Sequence, residues 1–207
     1  MRSQQQCRFF LMPVRCVAWP VIYRRNMENF ILIEKDIDVT AIAAELQRNE
    51  AAWLADVSRQ KKTHCQRETE SIFLRAAKKT DPTQAVADIQ ETRDCLLSPQ
   101  FPATMGWLAG VAVSQRGELG RALFAKLQPH GRVYPHIDHG SYYALRHRFH
   151  LVMKSQGSLM HCDGEEVVMQ EGELWEFNNK KRHEASNTSS ESRIHLIFDL
   201  LLDDALL

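Results

Sequence analysis

The chain has 207 residues, and its 26 lysines and arginines balance its 26 aspartates and glutamates, so the formal net charge is zero. A hydrophobic fraction of 44% and a charged fraction of 25% are ordinary for a globular protein and argue against a disordered or fibrous one. The balanced charge gives no support for a nucleic acid or an anionic membrane as partner. No apolar run approaches the roughly 20 residues that a membrane-spanning helix requires.

Five scattered cysteines without a C-x-x-C pair predict neither a disulfide framework nor a zinc knuckle. They are typical of a reducing compartment, so we expect a cytoplasmic protein. The first 26 residues imitate a signal peptide only partly, because arginines and prolines interrupt the apolar patch. We therefore expect residues 1–26 to be an N-terminal extension, ordered or disordered, that an upstream start codon could explain. Residues 27–207 are expected to form one domain.

The first half of the chain predicts helices with two short strands. Residues 30–33 form an apolar run that predicts a strand, and residues 69–74 alternate in the pattern of a half-buried strand. Helical spacing predicts helices over residues 41–56 and 85–97, separated by a polar loop over residues 78–84. Two prolines and a glycine in residues 98–106 predict a helix break.

The second half predicts short strands separated by tight turns. Turn signals occur at Gly157, Gly164 and Gly172 and at the Asn178-Asn179 pair. The strands are expected over residues 146–153, 159–160, 166–169, 174–177 and 194–201, with a strand or short helix over 122–127. Strands at this spacing after a helical half favour a β-barrel or sandwich with helices packed outside.

One spacing in this half suggests a metal site. His136 and Asp138 are two residues apart, so in an extended segment their side chains leave the same face. His183, just after a predicted turn, is the candidate third ligand. Two imidazoles and a carboxylate without a thiolate favour Fe(II) over a structural zinc. The alternative is that His136 and Asp138 are polar loop residues. Three other histidines compete as ligands on residue type: His139, His147 and His161.

Two predicted strands also carry cationic pairs. Arg193 and His195 share one face of the last strand, and Arg148 and His150 share a face of an earlier one. A buried guanidinium needs an anionic partner, which a bound dicarboxylate would supply through bidentate hydrogen bonds. The alternative is that Arg193 pairs with a carboxylate of the protein, for which the candidates are Glu166, Glu173 and Asp199.

Taken together, these segments resemble the aspartyl/asparaginyl β-hydroxylase-like family of Fe(II)- and 2-oxoglutarate-dependent dioxygenases, in its cis-proline-hydroxylase-like branch. The resemblance covers about the last third of the chain. The matching pieces are Pro129-His130-Gly131, Tyr134-Pro135-His136-x-Asp138, Arg148-Phe149-His150-Leu151, Gly172-Glu173-Leu174-Trp175, Phe177-Asn178-Asn179, His183-Glu184-Ala185-x-Asn187 and Arg193-Ile194-His195-Leu196-Ile197-x-Asp199.

The resemblance implies an α+β fold whose core, over about residues 105–203, is a double-stranded β-helix of the cupin or jelly-roll type, with N-terminal helices packed outside. It implies Fe(II), 2-oxoglutarate and O₂ as cofactor and cosubstrates. The implied roles are iron ligands for His136, Asp138 and His183, 2-oxoglutarate contacts for Arg193, His150 and Arg148, and support of the ligands for Asn187 and Glu184.

A substrate of the amino-acid class is the further expectation, because Asp138 is present whereas the vertebrate protein-hydroxylating members lack this ligand. The product would carry a hydroxyl group on an unactivated carbon. Candidate substrate contacts are Ser141 and Tyr143, in a predicted loop, and His64. For the remaining features, Trp175 and Phe177 are expected in the core, and the basic run over residues 59–67 is expected to be a solvated face.

Three alternatives stay open. The substrate could be an Asp or Asn side chain in a peptide or protein, the protein could be a metal cupin that needs no cosubstrate, or the barrel could bind a ligand without turnover. The sequence leaves the oligomeric state open.

Overall fold

The computed structural model describes residues 27–203, so the predicted N-terminal extension, residues 1–26, lies outside the described residues. The secondary structure comprises eleven strands and four α-helices in this part of the chain. The helices are α1 (Thr40–Arg48), α2 (Ser58–Lys62), α3 (Pro102–Ser114) and α4 (Ser141–Ala144). The strands are β1 (Phe30–Glu34), β2 (Thr69–Ala77), β3 (Thr92–Asp94), β4 (Gly117–Leu127), β5 (Arg132–His136), β6 (His147–Lys154), β7 (Leu159–Cys162), β8 (Glu165–Val168), β9 (Leu174–Phe177), β10 (His183–Ser186) and β11 (Arg193–Leu202).

The strands form two antiparallel sheets. The large sheet has seven strands in the order β1-β9-β6-β11-β4-β2-β3, and the small sheet has four in the order β5-β10-β7-β8. This is the α+β, predominantly β jelly-roll architecture that the resemblance implies. Since β1, β2 and β3 belong to the large sheet, the sheet begins well before residue 105.

Two hydrophobic cores lie on opposite faces of the large sheet. One is filled by side chains of α1, α3 and the large sheet, such as Ile42, Leu108 and Phe124. The other lies between the two sheets and contains side chains from both, such as Val152, Met160 and Phe177. The helices therefore cover the outer face of the large sheet, and the small sheet covers its inner face.

The strand predictions are confirmed for residues 30–33 and 69–74 and for the five strands between residues 146 and 201. The ambiguous segment 122–127 is part of the strand β4, and residues 78–84 contain no helix or strand. The predicted helix 41–56 is only partly correct. It ends at Arg48, where Asn49 donates its backbone and side-chain N–H groups to the Glu45 carbonyl, and a 3₁₀ helix over Glu50–Leu54 follows.

The predicted helix over residues 85–97 is wrong. A 3₁₀ turn over Val86–Asp88 is followed by the strand β3, which pairs with β2. The Arg75 side chain on β2 donates to Thr92 Oγ1 at 3.0 Å and contacts the Asp94 carboxylate. Cross-strand pairing therefore overrides the local helical tendency of this segment.

The predicted break over residues 98–106 is also wrong, because α3 begins there. Pro102 occupies the first turn, where a backbone N–H has no intrahelical partner and none is lost. The buried Glu45 carboxylate of α1 accepts the backbone N–H groups of Ala103 and Thr104 at 2.6 and 2.9 Å. A carboxylate at this helix end satisfies unpaired donors and stabilises the helix dipole. A residue more than 50 positions away thus caps α3.

Candidate metal centre

Two neighbouring strands of the small sheet bring the predicted ligands together. β5 ends at His136, β10 begins at His183, and these two residues are opposite each other in the antiparallel pair. Their ring centroids are 4.2 Å apart. One ligand atom each from His136, Asp138 and His183 lies within 4.8 Å of the other two. Within residues 27–203 this is the one group of three or more such side chains close enough to hold a metal ion.

The backbone sets the tautomer of both histidines. His136 Nδ1 lies 2.8 Å from the Tyr134 carbonyl oxygen, and His183 Nδ1 lies 2.9 Å from that of Lys181. A carbonyl oxygen only accepts, so each Nδ1 donates its hydrogen and each Nε2 keeps its lone pair. The Gln66 amide nitrogen lies 3.4 Å from His136 Nε2 and donates weakly to its lone pair, so a metal ion would displace this contact. Both imidazoles therefore have their lone pair on Nε2, the atom available to a metal.

A fixed set of donors surrounds the Asp138 carboxylate. Asn179 Nδ2 donates to Asp138 Oδ2 at 3.0 Å, and Arg148 contacts the same oxygen. Burial alone would raise the pKa of Asp138, but the charge of Arg148 and the Asn179 hydrogen bond contribute to outweighing it, and the pKa is lowered. Asp138 is consequently a carboxylate at neutral pH, the form that ligates a metal.

Burial and the neighbouring His136 lower the pKa of His183 to about 4. The His183 imidazole is therefore neutral at pH 7, which is the state in which a histidine binds a metal. The two imidazoles and the carboxylate form a donor set of two nitrogens and one oxygen. That set and its backbone-oriented lone pairs fit a divalent transition metal, and leave coordination positions for other ligands.

A small cavity between the two sheets is lined by His136, His183 and Arg193. Arg193 is buried, and its Nη1 donates to the Met160 sulfur at 3.2 Å. Its Nε has no hydrogen-bond partner in the part of the chain that the structure describes. Burial first, and the charge of Arg59 second, lower the pKa of Arg193 to about 10. Among the described residues, no carboxylate lies within 4.0 Å of its guanidinium.

The alternative of a protein carboxylate for Arg193 is wrong for all three candidates. Glu166 contacts His161 at 3.4 Å, Glu173 accepts the Trp175 indole N–H at 2.8 Å, and Asp199 pairs with Arg148 at 2.8 Å. Among the described residues, Arg193 is thus a buried cation whose one acceptor is the thioether of Met160. Such a group is costly unless an anion joins it.

Two further buried histidines lie beside this arginine. His150 and His195 approach through their Nδ1 atoms at 3.0 Å, so one of the two donates and the other accepts. Within residues 27–203, neither Nε2 atom has a hydrogen-bond partner. Burial and the charge of Arg193 depress the pKa of both well below the ordinary range, so both rings are neutral. Neutral rings with free Nε2 positions can donate or accept without adding charge.

Two of the expected roles differ from the contacts in the structure. Arg148 donates to Asp138 and Asp199 rather than standing free for a cosubstrate. Asn187 donates to the carbonyls of Gln128 and Glu191 at 3.0 and 2.7 Å, so it holds the turn between β10 and β11 and does not contact a ligand. Glu184 lines the cavity and is half-buried.

The candidate substrate contacts are not among the residues that line this cavity. The predicted loop of Ser141 and Tyr143 is the short helix α4, where exposed Ser141 accepts from Gln90 at 3.2 Å. The Tyr143 ring lies 5.1 Å from the Arg148 guanidinium. His64 is exposed and lies against the Tyr134 ring at 5.7 Å.

The competing histidines do not join the metal group. His147 pairs with Glu176 at 2.7 Å, His161 faces Glu166, and His139 is exposed. Trp175 and Phe177 are buried in the core between the sheets, as expected.

Four residues of the site were not predicted from the sequence. Asn179 and Gln66 contact two of the candidate ligands, and Met160 contacts Arg193. Arg59 lines the cavity and is only partly exposed, so the basic run over residues 59–67 is not solvated throughout. Asn179 stands in a family-like motif, whereas no local pattern distinguishes Arg59 from its basic neighbours.

A comparison with known families identifies the chain. The sequence profile described as aspartyl/asparaginyl beta-hydroxylase matches residues 38–202. The chain belongs to this family. As a member of the aspartyl/asparaginyl beta-hydroxylase family it is a hydroxylase enzyme. No curated protein matches the chain.

Several solved structures are similar in fold to this hydroxylase. A 2OG-Fe(II) oxygenase family oxidoreductase from Burkholderia pseudomallei has 12% identity and a TM-score of 0.47, with 80% of this chain and 91% of that chain covered. A Pseudomonas putida prolyl-4-hydroxylase has 19% identity and a TM-score of 0.47, with 80% and 86% covered. A predicted oxalate decarboxylase from Thermotoga maritima has 17% identity and a TM-score of 0.34, with 44% and 73% covered.

In the part of the hydroxylase that the structure describes, every helix is too short or too polar to cross a membrane.

Proposed function

We propose that this hydroxylase is an Fe(II)- and 2-oxoglutarate-dependent dioxygenase that hydroxylates an unactivated C–H bond of an amino acid or amino-acid-like small molecule. The proposal rests on one observation: candidate metal ligands and a buried arginine line the same cavity. His136 and His183, which form the candidate metal group with Asp138, line this cavity. Arg193 lines it too, and its guanidinium has no carboxylate partner among the described residues.

The three converging side chains would hold the iron. His136 and His183 donate their Nδ1 hydrogens to backbone carbonyls, so both imidazoles are oriented before a metal binds. Arg148 and Asn179 hold Asp138 in its ionised form. An imidazole pair with one carboxylate leaves open positions on a metal ion, which is the arrangement of non-haem Fe(II) oxygenases.

Arg193 would bind the distal carboxylate of 2-oxoglutarate. An arginine and a carboxylate form short, charge-assisted and often bidentate hydrogen bonds, which would satisfy the unpaired Nε. Met160, whose sulfur lies at Nη1, has a flexible side chain that can move to admit the carboxylate. His150 lines the same cavity, and its free Nε2 would provide a second contact.

When bound, the iron, 2-oxoglutarate and O₂ supply the oxidation: 2-oxoglutarate loses CO₂ to give succinate, and one oxygen atom enters the substrate as hydroxyl. The chain would contribute position and environment. Arg193 orients the cosubstrate, and Arg148 and Asn179 keep Asp138 charged. The apolar side chains of Val133, Phe177 and Ile197 in the cavity wall exclude water from the reacting centre.

The test is an anaerobic titration of metal-free protein with Fe(II) and then with 2-oxoglutarate, followed by visible absorption. We expect a weak metal-to-ligand charge-transfer band on addition of 2-oxoglutarate, and loss of that band in His136→Ala. Iron binding without the band would contradict the cosubstrate assignment and favour a metal cupin that needs no cosubstrate. Failure to bind iron would contradict the metal centre itself.

A further inference from the structure

Arg59, on the short helix α2, lines the same cavity as His136, His183 and Arg193. Its Nη1 donates to Ser71 Oγ on β2 at 3.0 Å, which holds the side chain against the large sheet. Its neighbours on the helix, Lys61 and Lys62, are exposed. Arg59 thus differs from the rest of the basic run in pointing its charge at the site instead of the solvent.

Arg59 has no anionic partner within 4.0 Å among the described residues. The nearby carboxylate of Asp138 is already engaged by Arg148 and Asn179. Glu184 lines the cavity as well but forms no ion pair with Arg59 in the described structure. Burial and the like charge of Arg148 lower the pKa of Arg59 to about 10, which is the direction expected for a cation that lacks an anion.

The cavity therefore contains two arginines without a carboxylate partner, and 2-oxoglutarate accounts for one. Its proximal carboxylate would chelate the iron, and its distal carboxylate would occupy Arg193. Arg148 is satisfied by two protein carboxylates. Arg59 is left with a neutral hydroxyl partner, so its charge is balanced only when a further anion enters the cavity.

We propose that Arg59 binds a carboxylate of the primary substrate, so that the enzyme selects substrates with a free carboxylate. The inference rests on the proposed function. Two sources share this chemistry: the α-carboxylate of a free amino acid and the side-chain carboxylate of an aspartate in a peptide. In both, the arginine would fix one end of the substrate and hold the reacting carbon at a set distance from the metal centre.

The experiment compares wild-type protein with Arg59→Met, Arg59→Lys and the exposed control Lys61→Met. Circular dichroism checks that each variant is folded. Calorimetry on the anaerobic Fe(II)–2-oxoglutarate protein measures the affinity for four sets of probes. These are the twenty free L-amino acids, their α-carboxamides, and capped tripeptides with a central aspartate or with a central asparagine.

We expect at least one carboxylate probe to bind wild type, and its amide counterpart to bind at least tenfold more weakly. Arg59→Met should weaken the binding of that carboxylate at least tenfold, Arg59→Lys should restore part of it, and Lys61→Met should not change it. The affinity for 2-oxoglutarate should stay within about twofold of wild type in Arg59→Met. If the free amino acids lose affinity in Arg59→Met, the source is the α-carboxylate. If the aspartyl tripeptide loses affinity, the source is the side-chain carboxylate.

The inference is overturned if acids and amides bind alike, or if no carboxylate binds wild type more tightly than Arg59→Met. It is also overturned if Arg59→Met weakens 2-oxoglutarate alone, since Arg59 would then be a second cosubstrate anchor. If wild type fails to bind 2-oxoglutarate, the proposed function fails. In that case the affinities of wild type and Arg59→Met for the carboxylate probes are compared on the Fe(II) protein without 2-oxoglutarate. A failure of the proposed function can therefore be distinguished from a failure of this inference.

Discussion

Arg148 donates two hydrogen bonds to Asp199, from Nε to Oδ1 at 2.8 Å and from Nη2 to Oδ2 at 3.1 Å. The third donor, Nη1, contacts Asp138. The side chains of Arg148 and Asp199 are 13% and 3% exposed, so this pair is largely desolvated. Asp199, on β11, therefore positions the candidate carboxylate ligand through an arginine on β6.

Replacing Asp199 should damage both stability and the metal centre. Asp199→Ala leaves the buried Arg148 with one carboxylate, and breaking a buried pair costs about 3 kcal/mol of unfolding free energy. Freed from Asp199, Arg148 can move and reorient Asp138, so we expect Fe(II) affinity to fall about tenfold. Urea unfolding and anaerobic Fe(II) titration measure the two effects.

The matched control is Asp163→Asn. Asp163 pairs with Lys181 at 3.2 Å, but both side chains are about half exposed. An exposed pair contributes under about 1 kcal/mol, so this variant should keep nearly normal stability and iron affinity. Equal effects of the two substitutions on iron affinity would refute the positioning role of Asp199.

Both histidines of the metal group should be required for iron binding. His136→Ala or His183→Ala removes one of two nitrogen donors, so iron retention and turnover should be lost. His161→Ala is the control, because His161 lies on the neighbouring strand β7 but pairs with Glu166 instead of joining the group. Iron content after gel filtration distinguishes the variants. Normal iron content and activity in either alanine variant would remove that residue from the ligand set.

Arg193 should govern the 2-oxoglutarate requirement without affecting the metal. Arg193→Met removes the guanidinium but keeps an apolar side chain beside Met160, so the KM for 2-oxoglutarate should rise at least tenfold and Fe(II) affinity should stay near normal. Arg93→Met, at an exposed position on the edge strand β3, is the control. Succinate release at varied 2-oxoglutarate gives the KM. An unchanged KM in Arg193→Met would place the anchor elsewhere.

The stability of metal-free protein should fall as the pH is lowered. His150, His183 and His195 have a lowered pKa in the folded chain, to about 4 for His183, against an ordinary value of 6.5. Between these values the unfolded chain binds more protons than the folded one. The unfolding free energy is therefore full above pH 6.5 and decreases below it, by up to about 1.4 kcal/mol per pH unit for each histidine.

Urea unfolding at pH 7.5, 6.5 and 5.5, with a chelator present, measures this slope. His195→Phe should reduce the slope, because one of the three buried histidines is gone. A stability that is flat or rises between pH 6.5 and 5.5 would contradict the neutral, buried state of these rings.

The predictions that the structure agrees with depend on local sequence patterns. Strand alternation and turn residues are properties of a few consecutive residues, so most strands of the second half could be predicted within a few positions. Residue chemistry likewise identified His136, Asp138 and His183 as a candidate group, and the structure brings these three together. The resemblance to the hydroxylase family depended on motifs of the same short range.

Contacts between distant residues decided the rest. The cap that Glu45 places on α3 overrides a local break signal, and the pairing of β3 with β2 overrides a local helix signal. The partners of Arg148 and the inward side chain of Arg59 depend on burial and on charges brought together from two strands, a loop and a helix. The same holds for Arg193, which has no carboxylate partner among the described residues. The sequence by itself determined which chemical groups are available. The tertiary structure alone determined which charges are neutralised and which remain for ligands, because electrostatic pairing is set by distance in space and not by distance along the chain.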